Sequence, residues 1–224
     1  MGLVNPKIVK SAEHILEMLP PGVILVAAAK GRTLEDVKTA MQAGITHFGH
    51  NYVQEAQPMI EAYGNQATWH MIGHLQGNKA EKAVQLFDMI ETVDSWRLAL
   101  KLEQRCVAIG KVMPVLVEIN SGREISKTGV LPEEVDDFVQ RLEELENIRV
   151  QGLMTMGPRF GDPEKARPYF RATKAAFDRL VKSNLQSVSM SYLSMGMSNS
   201  YQVALEEGAN LIRIGTAIFG SREP

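Results

Sequence analysis

The stretch "VILVAAAKGRT" ends an apolar run on an amine, Lys30, directly before a turn at Gly31. A lysine at the end of a buried strand is costly unless something engages its charge or draws on its nitrogen. Other apolar runs along the chain also close on reactive or polar side chains: Asn51, His74, Asp94, Asn120, Ser198, and Arg213 with Gly215 and Thr216. Two of these places have the chemistry of an anion cradle. In "SMGMSNS", glycine and hydroxyls stand where the helical stretch "YQVALEEG" begins, so Ser198 and backbone N–H groups can face a phosphate. In "IRIGTAIFG", Gly215 allows close backbone approach and Thr216 adds a donor.

Lys30 opposite a phosphate site has three readings: a solvated strand-end lysine, a charge contact to the phosphate, or a nucleophilic amine that forms an imine with a carbonyl. The apolar residues before it supply low-dielectric walls that disfavour the charged form. An aldehyde bearing a phosphate satisfies both features, as in pyridoxal phosphate or in a sugar phosphate bound to a lysine-dependent aldolase. Arg213 precedes Gly215 by two positions, where it can face a pyridine nitrogen or pair with a carboxylate at the rim. Asp94 is the acid that the aldolase alternative would use.

Several other constellations carry less. His70 and His74 in "WHMIGH" share a face if the strand runs through both, but His47 and His50 are not obviously placed to complete a metal set. "GMSNS" has Ser200 where a nucleophile elbow needs glycine. The single cysteine, Cys106, reads as a packing residue, and the methionines as core.

The elements that must position these groups follow from periodicity. Eight apolar runs read as strands: residues 23–29, 47–51, 69–74, 89–94, 113–120, 150–156, 192–196 and 211–219. Between them lie helical patterns. Thr33 caps "TLEDVKTAMQAG", with Leu34, Val37 and Met41 on one face and a stop at Gly44. Pro132 suits the first turn of "PEEVDDFVQRLEEL", and a helix follows Asp162 and Pro163, kinked or delayed by Pro168. An extra N-terminal helix covers residues 6–18. Eight strands with seven intervening helices predict an α/β fold, a single (β/α)8 TIM-type barrel forming one domain over residues 1–224, with its site at the C-terminal strand ends. An open doubly wound sheet ranks second, because "AAAKGRT" is not the glycine-rich turn of that fold.

The 224 residues carry 24 Lys and Arg against 26 Asp and Glu, with no basic face for nucleic acid and no apolar run of the about 18 to 20 residues that span a bilayer. With one cysteine and no secretory leader pattern at its start, the chain is expected to be cytoplasmic.

Together, "AAAKGRT", "FGHNYVQEA", "WHMIGHLQGNK", "EINSGREISKTG", "QGLMTM" and "LSMGMSNSYQVALEEGANLIRIGTAIFG" resemble the pyridoxal phosphate homeostasis protein family, single-domain relatives of the alanine racemase barrel, from Val23 to Arg222. The resemblance implies that Lys30 holds pyridoxal 5′-phosphate as an internal aldimine, that Ser198, Gly215 and Thr216 contact its phosphate, that Arg213 faces its ring nitrogen, and that Asn51 and Asn120 line the mouth. It implies a role in vitamin B6 homeostasis, with apoenzymes that receive the cofactor as partners and no metal. Three positions depart from the family pattern: His50 where an acid is usual, Ala29 where a hydroxyl residue is common, and Ser200 where aspartate is common. A guanidinium stays protonated, so opposite the ring nitrogen it makes the cofactor a poor electron sink. The length also leaves no room for the second, all-β domain of a racemase. A binding protein is therefore expected rather than a catalyst, the alternative being a low-activity amino acid racemase or another pyridoxal phosphate enzyme of the racemase-type barrel.

Overall fold

The computed structural model describes residues 4–124, 127–157, 161–183 and 185–221. Ile125 and Ser126 of "EINSGREISKTG", and Arg222 at the end of the family pattern, lie outside them.

Eight parallel strands close a barrel in sequence order: β1 (Ile24–Ala28), β2 (His47–His50), β3 (Thr68–Met71), β4 (Met89–Val93), β5 (Met113–Ile119), β6 (Ile148–Thr155), β7 (Val188–Ser194) and β8 (Leu211–Ile214). Closure is made by β1 against β8, with Val26 opposite Arg213 and Ala27 opposite Ile214. The helices are α1 (Pro6–Met18), α2 (Leu34–Gln42), α3 (Val53–Tyr63), α4 (Ala80–Leu86), α5 (Trp96–Ile109), α6 (Val135–Leu142), α7 (Arg167–Val181), α8 (Tyr201–Glu206) and α9 (Thr216–Phe219). No helix among the described residues is long and apolar enough to cross a membrane.

Local chemistry explains the element ends. Asn5 caps α1 by accepting from Lys7 N, and Thr33 with Asp36 forms a reciprocal capping box on α2. Pro168 sits in the first turn of α7, where its missing N–H costs nothing, and a single 3-10 turn at Pro163–Ala166 precedes the helix, so the proline delays it without a kink.

Five details differ from the sequence expectation. β7 starts at Val188, four residues earlier than expected, and stops at Ser194. The last strand stops at Ile214, and residues 216–219 coil into α9, because the chain bends at Gly215 and amides of Ile218 and Phe219 return to its carbonyl. β3 ends at Met71, before His74. Pro132 stands in a turn ahead of α6, closed by Glu134 N on Leu131 O. Leu34 is exposed, because it opens its helix over the capping turn rather than over the sheet.

The main core lies between sheet and helices and includes Phe48, Trp69, Phe87 and Phe170. Two smaller clusters fill the barrel. Val26, Ile72 and Leu211 pack together on one side, and Met89, Leu116 and Met154 on the other, with Tyr192 touching both. Strand alternation then assigns the inward face. It runs through Ile24, Val26 and Ala28 on β1, through Leu116 and Glu118 on β5, through Tyr192 and Ser194 on β7, and through Leu211 and Arg213 on β8.

Candidate functional site

Lys30 follows β1 by two residues, in step with inward-facing Val26 and Ala28. Its turn is held from two sides. Glu55 of α3 accepts from Gly31 N at 3.2 Å, and Gly31 takes the positive φ of 66° that the turn requires. Arg32 donates to the carbonyls of Phe219 and Gly220 and lies over the Phe219 ring at 5.4 Å. Lys30 Nζ is 4.9 Å from the centroid of the Tyr52 ring, a cation–π distance.

The two cradle segments meet. Ser198 Oγ accepts from the backbone amides of Gly215 and Ala217, each at 3.3 Å, which joins the loop after β7 to the start of α9. Gly215 also abuts the first strand, since a Cβ there would stand 3.2 Å from the Ala28 carbonyl oxygen. The amine and the cradle therefore flank one seam, between the ends of β1 and β8. Thr216 is exposed at the first position of α9.

Beneath the mouth, Arg213 is 4% exposed. It donates from NH1 to Ser194 Oγ and from NH2 to the Thr155 carbonyl at 2.8 Å. Ser194 Oγ donates in turn to Glu91 Oε2 at 2.6 Å, and Glu91 lies 3.8 Å from Arg213. The other Glu91 oxygen meets His70 Nδ1 at 2.8 Å, and His70 Nε2 meets His47 Nδ1 at 2.9 Å. This buried relay crosses the interior from β2 to β8. Burial opposes ionisation of Glu91, but the His70 hydrogen bond and the charges of His70 and Arg213 hold its carboxyl below the usual range. Burial pulls the Arg213 guanidinium down from its ordinary value, and Glu91 and Glu118 oppose that. Burial and then His70 lower His47 to about 4.

The remaining mouth residues have distinct roles. Asn120 pins the loop after β5: its Nδ2 donates to the carbonyls of Glu124 and Lys127, and its Oδ1 accepts from Glu124 N. Asn51 borders a cavity of about 330 Å3 between the loops after β2 and β3, which Tyr52, Gly73, His74 and Lys79 also line. That cavity lies beside the lysine, and the Tyr52 ring borders both. His74 pairs with Asp94 at 3.1 Å, apart from the hydrogen bonds of His70. Among the described residues no group of three or more His, Cys, Asp or Glu is placed to hold a metal ion. Cys106 is buried, and burial raises its thiol to about 11.

The three departures from the family pattern are all buried. Neither ring nitrogen of His50 has a hydrogen-bond partner among the described residues, and burial lowers the imidazole to about 4. Ser200 Oγ accepts from Met197 N at 3.3 Å and steadies the loop that carries Ser198. Ala29 packs in the core. Lys127 is exposed and pairs with Glu124. Sequence reasoning missed Glu91, Ser194, Glu118 and Tyr52. The inward alternation of β4, β5 and β7 is the signal that could have found the first three. Tyr52 sits inside "FGHNYVQEA", next to Asn51.

Residues 12–223 match the family model described as alanine racemase, N-terminal domain. A pyridoxal phosphate homeostasis protein of Aquifex aeolicus is 38% identical over 200 residues, covering 89% of this chain and 87% of the relative. The Synechocystis protein of the same name is 38% identical over 211 residues, covering 93% and 96%. Among solved structures, PipY of Synechococcus elongatus without PLP superposes with a TM-score of 0.89 at 32% identity over 95% of this chain and 100% of that one. PipY with PLP bound superposes with a TM-score of 0.86, also at 32% identity and with the same coverage. An alanine racemase of Clostridium difficile, 16% identical and covered over 57% of its length, shares the fold with a TM-score of 0.78. This chain belongs to the alanine racemase N-terminal domain family and, within it, to the pyridoxal phosphate homeostasis proteins.

Proposed function

We propose that this chain binds pyridoxal 5′-phosphate with Lys30 as the covalent attachment point and acts in pyridoxal phosphate homeostasis, holding the cofactor and passing it to apoenzymes in the cytoplasm. The observation that carries this reading is the seam itself. Ser198 Oγ ties together the amides of Gly215 and Ala217, and Gly215 abuts Ala28, two residues before Lys30. An amine and an anion cradle on the two sides of one seam suit a ligand with an aldehyde at one position and a phosphate at another. The names of the relatives and the PLP-bound neighbour point to the same cofactor. The cytoplasmic setting rests on the sequence, whose one cysteine has no partner for an internal disulfide.

In this reading Ser198, Gly215 and Thr216 hold the phosphate, Arg213 meets the ring nitrogen, and Asn51 and Asn120 shape the mouth. When bound, the cofactor supplies an aldehyde that amines capture reversibly. Lys30 Nζ would be the amine that captures the aldehyde carbon, with release of water. Arg213 enters the site already oriented by Ser194, Thr155 and Glu91. Its guanidinium keeps its proton, which leaves the ring nitrogen without one and weakens any carbanion chemistry. A storage and transfer role suits that arrangement better than racemisation.

The test is a spectrum. Purified protein titrated with pyridoxal phosphate is expected to gain a visible absorption band that Lys30→Ala lacks, and borohydride is expected to fix the cofactor's mass on Lys30. A chain that stays colourless and takes up no cofactor overturns the proposal. Transfer is measured by whether the loaded protein restores activity to a cofactor-free pyridoxal phosphate enzyme; no restoration leaves binding standing and removes delivery.

A further inference from the structure

Glu118 follows Leu116 on β5 by two residues and shares its face, toward the interior filled by Met89, Leu116, Met154 and Tyr192. It stands two residues before Asn120, at the level just beneath the mouth. The residue is 4% exposed, yet its Oε2 has no hydrogen-bond partner among the described residues. Oε1 has only a long contact, 3.4 Å from Thr128 Oγ1. Buried polar atoms are almost always paired, so an orphan of this kind calls for an explanation.

The neighbouring cation does not supply the missing partner. Arg213 directs its guanidinium to Ser194, Thr155 and Glu91. His74 is paired with Asp94. Burial, and next the negative charge of Asp94, push the Glu118 carboxyl above its usual range, while Arg213, Thr128 and His74 pull the other way. Two carboxyls thus act on Arg213 from different environments. Glu91 is hydrogen-bonded and held below the usual range, and Glu118 is unpaired and raised above it. Divergent environments of this kind assign different roles to chemically identical groups. Glu91 serves Arg213, and Glu118 is left with an unpaired carboxyl oxygen on the inward face beneath the mouth.

We propose that Glu118 is a further ligand-contacting residue, whose free Oε2 forms a hydrogen bond with the ring 3-hydroxyl group of bound pyridoxal phosphate. This rests on the function proposed above, in which the other polar atoms of that molecule are already served: the aldehyde carbon by Lys30, the phosphate by Ser198, Gly215 and Thr216, and the ring nitrogen by Arg213. The phenolic oxygen is the polar atom that remains. A carboxyl is suited to it, because its oxygens accept from a hydroxyl when ionised and donate to a phenolic oxygen when protonated.

The experiment compares Glu118→Leu and Glu118→Gln with the parent chain, by thermal melting without ligand and by titration with pyridoxal phosphate followed in the visible band. The leucine variant is expected to melt higher, because it removes an orphaned buried polar atom. It is also expected to bind the cofactor about tenfold more weakly, the worth of one hydrogen bond, with a displaced absorption maximum. The glutamine variant keeps a hydrogen-bonding group and is expected to recover most of the affinity. Higher stability with lower affinity is a signature that a purely structural residue does not give. A leucine variant with parental affinity and spectrum overturns the inference, and so does one that loses stability and affinity together. A parent chain that takes up no pyridoxal phosphate overturns the proposed function beneath it, which is a separate and earlier failure.

Discussion

His70 and Glu91 meet at 2.8 Å, from Nδ1 to Oε1, with side-chain exposures of 2% and 0%. An ionised carboxylate only accepts, so His70 carries its proton on Nδ1. When His70 is neutral, its Nε2 accepts from His47. Donation therefore converges on Glu91 from both ends of the relay, from the histidines on one side and from Ser194 and Arg213 on the other. Glu91→Gln removes the countercharge of Arg213 and turns one acceptor into a donor. It is expected to cost about 3–5 kcal/mol, the usual range for breaking a buried pair. Urea unfolding of the full chain measures this, and a midpoint equal to the parent's would show that the relay does not anchor the guanidinium.

His50 makes the chain sensitive to acid. Its folded value of about 4 lies below the ordinary 6.5, so between those values the unfolded chain binds a proton that the folded chain refuses. Stability is complete above pH 6.5 and falls as pH drops toward 4, by about 3 kcal/mol from this residue. His47 acts in the same direction. His50→Leu is expected to flatten about half of the loss, His47 keeping the rest, and to raise stability at pH 7 because it removes two unpartnered ring nitrogens. Melting temperatures measured from pH 7 to pH 4 decide; parallel curves for parent and variant would reject the assignment.

Ser198→Ala leaves the amides of Gly215 and Ala217 without their oxygen acceptor. Affinity for pyridoxal phosphate is expected to fall about tenfold. Inorganic phosphate is expected to compete with the cofactor in the parent chain and to compete less well in the variant. Equal competition in both would place the phosphate elsewhere.

Gly152→Ala tests the barrel wall apart from the site. Gly152 has φ 153°, and a Cβ there would fall 1.8 Å from the Tyr192 carbonyl oxygen. Backbone cannot retreat by that much, so the variant is expected not to fold. A cooperative melt near the parent's would refute the close approach of β6 to β7.

Hydrogen exchange at the α-carbon of amino acids in heavy water, with the chain loaded, is expected not to exceed that of free pyridoxal phosphate, because in the proposed arrangement Arg213 would deny the ring nitrogen a proton. Exchange well above that level would restore the racemase alternative.

Much of the barrel is legible in the sequence because the strands end on polar or glycine-bearing turns and helices such as α1 and α2 open on a capping side chain. Thr33 and Pro168 behave as their chemistry dictates. The last strand is less legible. "IRIGTAIFG" is apolar on both sides of Gly215, and nothing local separates strand from helix there. The joining of Ser198 to Gly215 follows from two adjacent strand ends, which spacing can suggest. The relay through His47, His70, Glu91 and Ser194 does not follow in that way, because it depends on side chains from four strands meeting inside a closed ring. Before the ring is known, Glu91 in "MIETV" looks like any strand acid.

Arg32 reaches the carbonyls of Phe219 and Gly220, 187 and 188 residues further along the chain. The ring is therefore fastened where its earliest and latest pieces touch, and Lys30 and the Ser198–Gly215 junction lie on either side of the same fastening. During synthesis Lys30 is made early and waits for almost the entire chain before its counterpart exists. A ligand grasped from both sides cannot reward a partly made chain; by mass action it favours only the finished ring.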